Sequence, residues 1–496
     1  MMWGATLRTT ALVCGATLLG ACAQNYGNRV AAASDSFRTG GIDTAIAALE
    51  KAHEGVKPED LDLLYFLERG ELMRLRKDGL KPSTDAWFKA TEKIQVWEED
   101  SRSKLSKSAG ELGAALLSES FNRYDGQDYE KVMLSTRLAQ NHLMAGRWDD
   151  ARVEVRRMYE RETLIASLRD KEVQALKDAA EEKGAKNTEV QLKDIKGYPV
   201  EIFDDPEVTG LRNAYQSAAS HYLAGFLFEA LNEPSLATAG YRQAIELRPD
   251  VPMLQKGLEG VATRKRVAAG KTDVLFIIES GSMPARESVK ITLPVPIGAG
   301  VKLLSTSYPV IRPVKDNFIP TSIKVGDAAV PAAMVTSLDA MARRALKDEM
   351  PGAVARSMVR MAVSGAAQEA LQRNGGTFGS VMSLAVGLTS AATENADTRQ
   401  WRTLPANISL ARAVVPSGSL PVSFTTPQGT FRQDVKVDGT YALVVLRPFG
   451  NGDLTALVSQ PGAGLVAAEP ARPEPAKRTA RRPNTAVASK GAAKGQ

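Results

Sequence analysis

Residues 218–250 read AASHYLAGFLFEALNEPSLATAGYRQAIELRPD and decide the fold of the N-terminal half of this chain. Apolar and small side chains recur at helical intervals before and after the stretch Asn232-Glu233-Pro234-Ser235, which has the composition of a turn. Pro249 follows the second apolar run, and a proline at this place ends a helix. The stretch therefore predicts two helices joined by a short turn.

The side-chain sizes predict how these two helices pack. Gly225 and Ala237 are small at the positions where antiparallel helices touch, whereas Phe228 and Tyr241 are large enough to fill the space between them. The tetratricopeptide repeat has the same spacing of small, aromatic and proline residues, and this stretch resembles one repeat of that family. The residues that carry the resemblance are Gly225, Phe228, Ala237, Tyr241, Ala244 and Pro249.

Weaker copies of this pattern precede it. A turn at Gly146, followed by Ala151 on the second helix, predicts another hairpin; residues 41–58 resemble half of a third, and residues 61–97 a fourth. These copies predict a helical repeat domain over residues 31–265. Stacked repeats expose a concave groove, and we expect one between about residues 36 and 250 that binds another protein.

A charged stretch lies between the copy at Gly146 and Ala151 and the copy at residues 218–250, and it lengthens the sequence between them. From Ala151 to about residue 196, Ile165, Leu168, Val173 and Leu176 recur at intervals near three and four, which predicts a long helical arm. Two interpretations stay open: a solvated surface helix, or an arm that binds a partner.

Strand patterns replace helical ones after about residue 270. The predicted strands are 273–278, 289–293, 321–325, 408–415, 420–425, 431–437 and 441–446. They predict an antiparallel β-sandwich-like domain over residues 270–450, with a helical insertion at 337–392. The apolar part of the insertion, 353–392, is expected to lie against the sheet, and contact with lipid is the alternative. The predicted fold class is therefore α+β and multidomain.

The N-terminus carries a targeting pattern. Arg8 precedes an apolar run that ends in Leu19-Gly20-Ala21-Cys22. This ending resembles the lipobox of bacterial lipoproteins, which implies a signal peptide over residues 1–21, a lipid on Cys22 and a tether over 22–30. Ala23 stands where many inner-membrane lipoproteins have Asp, so we expect the periplasmic side of the outer membrane. The alternative is an ordinary secretory signal.

Composition limits the remaining chemistry. The second cysteine, Cys14, lies in the predicted signal peptide, so the mature chain has no thiol besides Cys22. Of the net charge of +6, residues 467–496 carry +5, in a predicted disordered Ala/Pro tail that begins at 451. The rest of the chain is near neutral, which does not indicate a nucleic-acid partner.

No residue pattern indicates a catalytic, cofactor or metal site. His53, His142 and His221 lie in the helical half, and the latter two occupy packing positions. No histidine follows the serines at 280 and 282, so that domain cannot hold a serine–histidine–acid triad. Ser101 and Lys104 have a Ser-x-x-Lys spacing that we interpret as chance. The alternative is a hydrolase of the cell wall or a glycan, with two scattered carboxylates about 5 to 9 Å apart in the fold.

Two polar–aromatic segments are distinctive, at residues 121–133 and 396–412. With the lipobox, they resemble a little-characterised family of bacterial lipoproteins with tetratricopeptide-like repeats, a resemblance that implies architecture but no catalytic residues. Within the second segment Arg399 and Arg402 flank Trp401, which suits either an interface anchor or, as we favour, a core position. The sequence thus predicts an outer-membrane scaffold or regulator of envelope assembly rather than an enzyme.

Overall fold

The computed structural model describes residues 30–118, 123–182, 197–263, 267–297, 300–315, 317–374, 396–427 and 429–462. The helices are α1 over residues 30–38, α2 Ile42–Ala52, α3 Leu63–Leu75, α4 Leu80–Ser106, α5 Ala109–Ser118, α6 Asp128–Met144, α7 Trp148–Glu182, α8 Pro206–Thr209, α9 Ala218–Ala230, α10 Pro234–Leu247, α11 Pro252–Thr263 and α12 Leu338–Asn374. The strands are β1 Lys271–Ser280, β2 Arg286–Ile297, β3 Gly300–Ile311, β4 Ser322–Val325, β5 Ala328–Pro331, β6 Ala333–Ser337, β7 Asn407–Pro416, β8 Gly418–Thr426, β9 Gly429–Val437, β10 Tyr441–Pro448 and β11 Leu454–Val458. The chain is thus mixed helix and sheet, as its sequence predicts.

Three helical hairpins, α3/α4, α6/α7 and α9/α10, make up most of the helical half. The turns between their helices use left-handed backbone. Gly146 has φ 73° between α6 and α7, and Asn232 has φ 60° between α9 and α10. The N–H of Gly146 donates to the carbonyl of Leu143 (3.0 Å), which satisfies one of the free carbonyls at the end of α6.

The α9/α10 hairpin packs through glycine. A Cβ on Gly225 would lie 2.6 Å from the Tyr241 ring, and one on Gly240 would lie 2.6 Å from the backbone nitrogen of Gly225. Phe228, Ala237, Tyr241 and Ala244 are buried, and Pro249 lies two residues after Leu247, the last residue of α10. The closest approach of the two backbones is at Gly240, which the sequence pattern did not single out.

The strands form three sheets. Five strands lie in the order β11-β10-β1-β7-β6, four in the order β5-β4-β8-β9, and β2 pairs with β3. The prediction of wholly antiparallel strands is wrong at one pair, because β1 and β10 are parallel neighbours. A parallel pair needs a long crossover, and here the connection contains every strand from β2 to β9 and α12.

The five-stranded sheet is buried on both faces. Leu275 and Ile277 of β1 belong to the core that the helices share, while Phe276 and Ile278 point to the four-stranded sheet. Side chains alternate across a strand, so one strand contributes to two cores. The helical and β-rich parts are therefore joined by a common core, although the sequence predicts them as separate domains.

One long helix and one short strand differ from their predictions, whereas the insertion helix α12 does not. On α7, Ile165 and Leu168 are fully buried in the main core, so this part of the expected arm does not project. The N-terminal half of α12 packs in the same core through Leu346 and Met350. Strand β11 pairs with β10 where the sequence predicts the start of the tail, because Leu454, Ala456 and Val458 alternate against the sheet.

Several predicted features lie outside the described residues: the signal peptide, Leu19, Gly20, Ala21 and Cys22, the end of the arm after 182, the insertion after 374 and the tail after 462. Within the described residues, no helix has the length and apolar character needed to cross a membrane.

Candidate functional site

The expected protein-binding groove is filled by the chain's own sheet. Every residue of α6 from Tyr129 to Met144 is buried. The N–H of Ala219 on α9 donates to Oγ1 of Thr336 on β6 (3.0 Å), and the Phe226 ring lies 5.7 Å from that of Tyr441 on β10. The helix-facing side of the sheet covers the inner helices α3, α6 and α9 with apolar side chains and a few buried polar ones. In the described residues, the inner faces of these helices are therefore covered by the chain itself.

A closed set of four charges joins helices and sheet at the centre of this interface. Arg74 on α3 donates to Glu71 (2.7 Å) and to Glu279 of β1 (2.6 Å). Arg137 on α6 donates to the other oxygen of Glu279, and its Nε lies 3.2 Å from Glu71. All four side chains are at most 1% exposed. We call them the charged quartet; its two positive and two negative charges cancel.

Two further buried carboxylates hold residues 396–406, which we call the Trp401 loop. Glu130 Oε1 accepts the N–H of Trp401 (2.7 Å). The two oxygens of Glu68 accept the N–H groups of Arg402 (2.7 Å) and Thr403 (3.2 Å). Among the described residues neither carboxylate forms an ion pair, so the bonds that hold the loop are made to backbone donors.

The two segments that carry the lipoprotein resemblance meet at this loop. Glu130 belongs to the first segment and Trp401 to the second, and the Arg399 guanidinium lies 5.1 Å from the centre of the Tyr124 ring. Phe121 and Asn122 of the first segment lie outside the described residues. The segments are thus two sides of one intramolecular contact.

Trp401 occupies a core position, as the favoured interpretation has it. Its side chain is fully buried, its ring packs edge-on against Trp87 with 6.1 Å between centroids, and its Nε1 donates to Thr403 (3.0 Å). The alternative of an exposed interface anchor does not fit this burial. Glu130 stands at the third helical position of a capping box with Gln127, a signal that the sequence contains. Nothing in the sequence marks Glu68.

Two buried carboxylates have part of the character that the hydrolase alternative requires, but they do not form its site. Glu68 and Glu130 are the residue type that it requires, buried and without charge partners. Their oxygens, however, are bonded to loop N–H groups, and both side chains are closed to solvent. General acid–base chemistry needs a carboxyl that can reach a substrate, and these two cannot.

The other residues singled out in the sequence are dispersed. His221 is fully buried beside the Tyr159 ring and 3.2 Å from Glu162, and His142 is buried against Phe88. Nδ1 of His53 is 2.8 Å from the carbonyl of Leu49. Ser101 is buried on α4. In the described part of the chain, no three His, Cys, Asp or Glu side chains are grouped to hold a metal ion.

One repeat residue takes part in a polar contact with the sheet. The Tyr241 hydroxyl donates to Glu229 (2.5 Å) and accepts from Arg412 of β7 (2.9 Å). Arg412 also forms a two-pronged ion pair with Asp273 of β1 (2.9 and 2.7 Å). The third hairpin is therefore fixed to the sheet through Tyr241 as well as through apolar packing.

The outer helices present a different surface. Phe88 and Val96 on α4 and Val153 on α7 are 40%, 45% and 48% exposed, respectively. The Phe88 ring lies 6.1 Å from that of His142, and His142 lies 4.0 Å from Asp150, one turn before Val153 on α7. We call these three apolar side chains the α4–α7 surface. It is the outer side of a helical array whose inner side is filled.

The contribution of Glu68 to the stability of the fold is expected to depend on pH. Burial raises the pKa of Glu68 to about 7, against the opposing hydrogen bonds from Thr403 and Arg402. A raised pKa means that the contribution to stability is complete below the ordinary value of 4.5 and is lost as the pH rises through about 7. The free energy of unfolding should therefore fall, relative to Glu68→Gln, by about 2 kcal/mol between pH 5 and 8.

Denaturant titrations of both proteins across this pH range measure the difference directly. Glu99→Gln, which replaces an exposed carboxylate on α4, is the matched control and should keep the wild-type profile. A constant difference between wild type and Glu68→Gln from pH 5 to 8 would contradict the prediction.

Comparison with known proteins finds solved structures of low similarity to this chain. Neither the protein-family models nor the curated proteins give a match. A tetratricopeptide repeat protein from Parabacteroides merdae is 14% identical, with 48% of this chain and 99% of that chain covered and a TM-score of 0.14. The C-terminal part of a repeat-containing protein from Cytophaga hutchinsonii is 12% identical, with 46% and 84% covered and a TM-score of 0.13. The helical-hairpin assignment rests on the contacts within this chain.

Proposed function

We propose that this protein is a lipid-anchored scaffold of the bacterial cell envelope, held at the outer membrane through Cys22. It binds a protein partner through the α4–α7 surface and serves envelope assembly. The observation that carries the proposal is the exposure of Phe88, Val96 and Val153 on two neighbouring helices of a hairpin array. Large apolar side chains grouped on a surface favour a protein contact.

The filled inner face supports this choice of surface. In an array of stacked hairpins both the inner and the outer helices can present side chains to a partner. Here the sheet and the Trp401 loop cover the inner helices, and the charged quartet fixes them there. The sheet therefore acts as a support that holds the outer helices in one arrangement. The lipid anchor rests on the lipobox resemblance, and the role in assembly rests on the family resemblance.

Site-specific photocrosslinking in living cells tests the proposal. A photoreactive amino acid replaces Phe88 or Val153, and the matched control replaces Lys324, which is exposed on the four-stranded sheet. We expect one protein to be captured at both helical positions and not at Lys324. The same cells with Cys22→Ser should lose the protein from the membrane fraction. Capture of lipid alone, or equal capture at Lys324, would overturn the choice of surface, and membrane retention of Cys22→Ser would overturn the anchor.

A further inference from the structure

A fifth buried charge lies beside the charged quartet. Arg447 is on β10, on the same side of the sheet as Glu279, and its side chain is buried. The four carboxylate oxygens of Glu71 and Glu279 each face Arg74 or Arg137. Arg447 has no ion pair among the described residues. The five described side chains Glu71, Arg74, Arg137, Glu279 and Arg447 together therefore carry a net charge of +1.

The contacts of Arg447 are weak for a guanidinium. Its Nη2 lies 3.4 Å from the carbonyl oxygen of Gly281 and 3.5 Å from that of Thr403. Its Cζ lies 5.4 Å from the centre of the Phe37 ring. Its Nη1 has no hydrogen-bond acceptor in the described part of the chain. Buried donors without an acceptor are costly and therefore uncommon in folded proteins.

The two quartet arginines have unbonded donors as well. Nε and Nη1 of Arg74 and Nε and Nη2 of Arg137 are buried without a hydrogen-bond acceptor among the described residues. One buried acceptor, Glu71 Oε2, is also without a hydrogen bond there and lies 3.2 Å from Arg137 Nε, so the unbonded donors outnumber it. Burial lowers the pKa of Arg447 to about 10; the carboxylates of Glu279 and Glu71 oppose this shift and Arg137 and Arg74 add to it, so the group stays charged at neutral pH. The local chemistry is therefore an excess of donors and a net charge of +1.

We propose that Arg447, together with the unbonded N–H groups of Arg74 and Arg137, binds a small monovalent anion of the halide class. A monovalent anion accepts several N–H donors and restores neutrality, whereas a dianion would leave an excess of negative charge. Water could accept the same hydrogen bonds but would leave the charge uncompensated. The anion joins α3, α6 and β10 at the centre of the interface.

Glu68 is the next carboxylate to Glu71 along α3, and it does not act as the counter-charge of Arg447. It lies one turn before Glu71, but its two oxygens are bonded to the N–H groups of Arg402 and Thr403. No ion pair joins it to Arg447 in the described residues. The described residues thus supply no ion-pair partner for the positive charge of Arg447.

Thermal unfolding of the full mature chain in sodium chloride and in sodium gluconate, at constant ionic strength, tests the site. A bound anion should raise Tm by about 1 to 2 °C for each tenfold rise in chloride, with no rise in gluconate. Arg447→Met should abolish this chloride dependence. Arg432→Met, which removes an exposed guanidinium on β9, is the matched control and should retain it.

A bromide soak of crystals of the unmutated protein gives a second readout that does not depend on the variants folding. The proposal expects an anomalous peak in contact with Nη1 of Arg447. Equal Tm values in chloride and gluconate, or bromide found on surface residues only, would overturn it, even if Arg447→Met proves insoluble.

Discussion

Glu279→Ala is expected to lower the free energy of unfolding by about 3 to 5 kcal/mol, because it leaves buried guanidinium groups without their shared counter-charge. Glu279 bridges Arg74 and Arg137, and all three side chains are at most 1% exposed. An arginine side chain cannot release its proton to escape this cost. The substitution therefore removes the ion pairs that join β1 to both α3 and α6.

Denaturant titration at neutral pH measures this loss, and the ion pair of Glu287 with Arg312 supplies the control. Glu287 is on β2, Arg312 directly follows β3, and both side chains are about half exposed. Exposed pairs contribute little, so Glu287→Ala should cost less than about 1 kcal/mol. If the two variants lose equal stability, the quartet does not hold the interface.

The quartet also predicts how the protein responds to acid. Burial alone would raise the pKa of Glu279, but the guanidinium groups of Arg137 and Arg74 outweigh it and lower the pKa to about 2. A lowered pKa means that this contribution is present above the ordinary value of 4.5 and is lost as the pH falls through about 2. Glu279→Gln should remove this part of the acid sensitivity.

Trp401→Ala is expected to cost about 3 to 5 kcal/mol, because it removes a fully buried indole and leaves a cavity next to Trp87. The loss should appear as a lower denaturation midpoint. Phe88→Ala removes an exposed aromatic side chain from α4 and serves as the control, with an expected loss below about 1 kcal/mol. A similar loss in both variants would contradict the core position of Trp401.

A double-mutant cycle separates the contact from general damage. Trp87 and Trp401 touch, so the loss in Trp87→Ala/Trp401→Ala should differ from the sum of the single losses by about 0.5 to 3 kcal/mol. Trp401→Phe keeps the apolar ring but lacks the N–H that donates to Thr403. It should therefore recover part of the stability, whereas additive single losses would show that the rings do not interact.

The helical hairpins could be predicted because their information is local. Small residues such as Gly225 and Ala237, and a large one such as Tyr241, recur at helical spacing on both sides of a turn. Helix contacts of this kind join residues close in sequence, so their pattern can be read directly. The left-handed backbone at Gly146 belongs to the same class of local signal.

The filling of the groove could not be predicted in this way. The hydrogen bonds of the Trp401 loop join Glu130 to Trp401 and Glu68 to Arg402, 271 and 334 residues apart. No local pattern links such pairs. The continuous apolar run from Val274 to Ile278 in β1 shows that both of its faces are apolar, but it does not show which face meets helices and which meets another sheet.

The sequence by itself determined the helical hairpins, most of the strands and the expectation of a lipid anchor at Cys22. The tertiary structure alone decided that the sheet covers the inner helices and that Glu279 shares its charge with Arg74 and Arg137. It also decided that Arg447 is buried beside them, without an ion pair to any described residue. The physical reason is that the spacing of apolar residues along the sequence shows which side of a helix or strand is buried. Its partner is chosen by shape and charge complementarity between segments far apart in the chain.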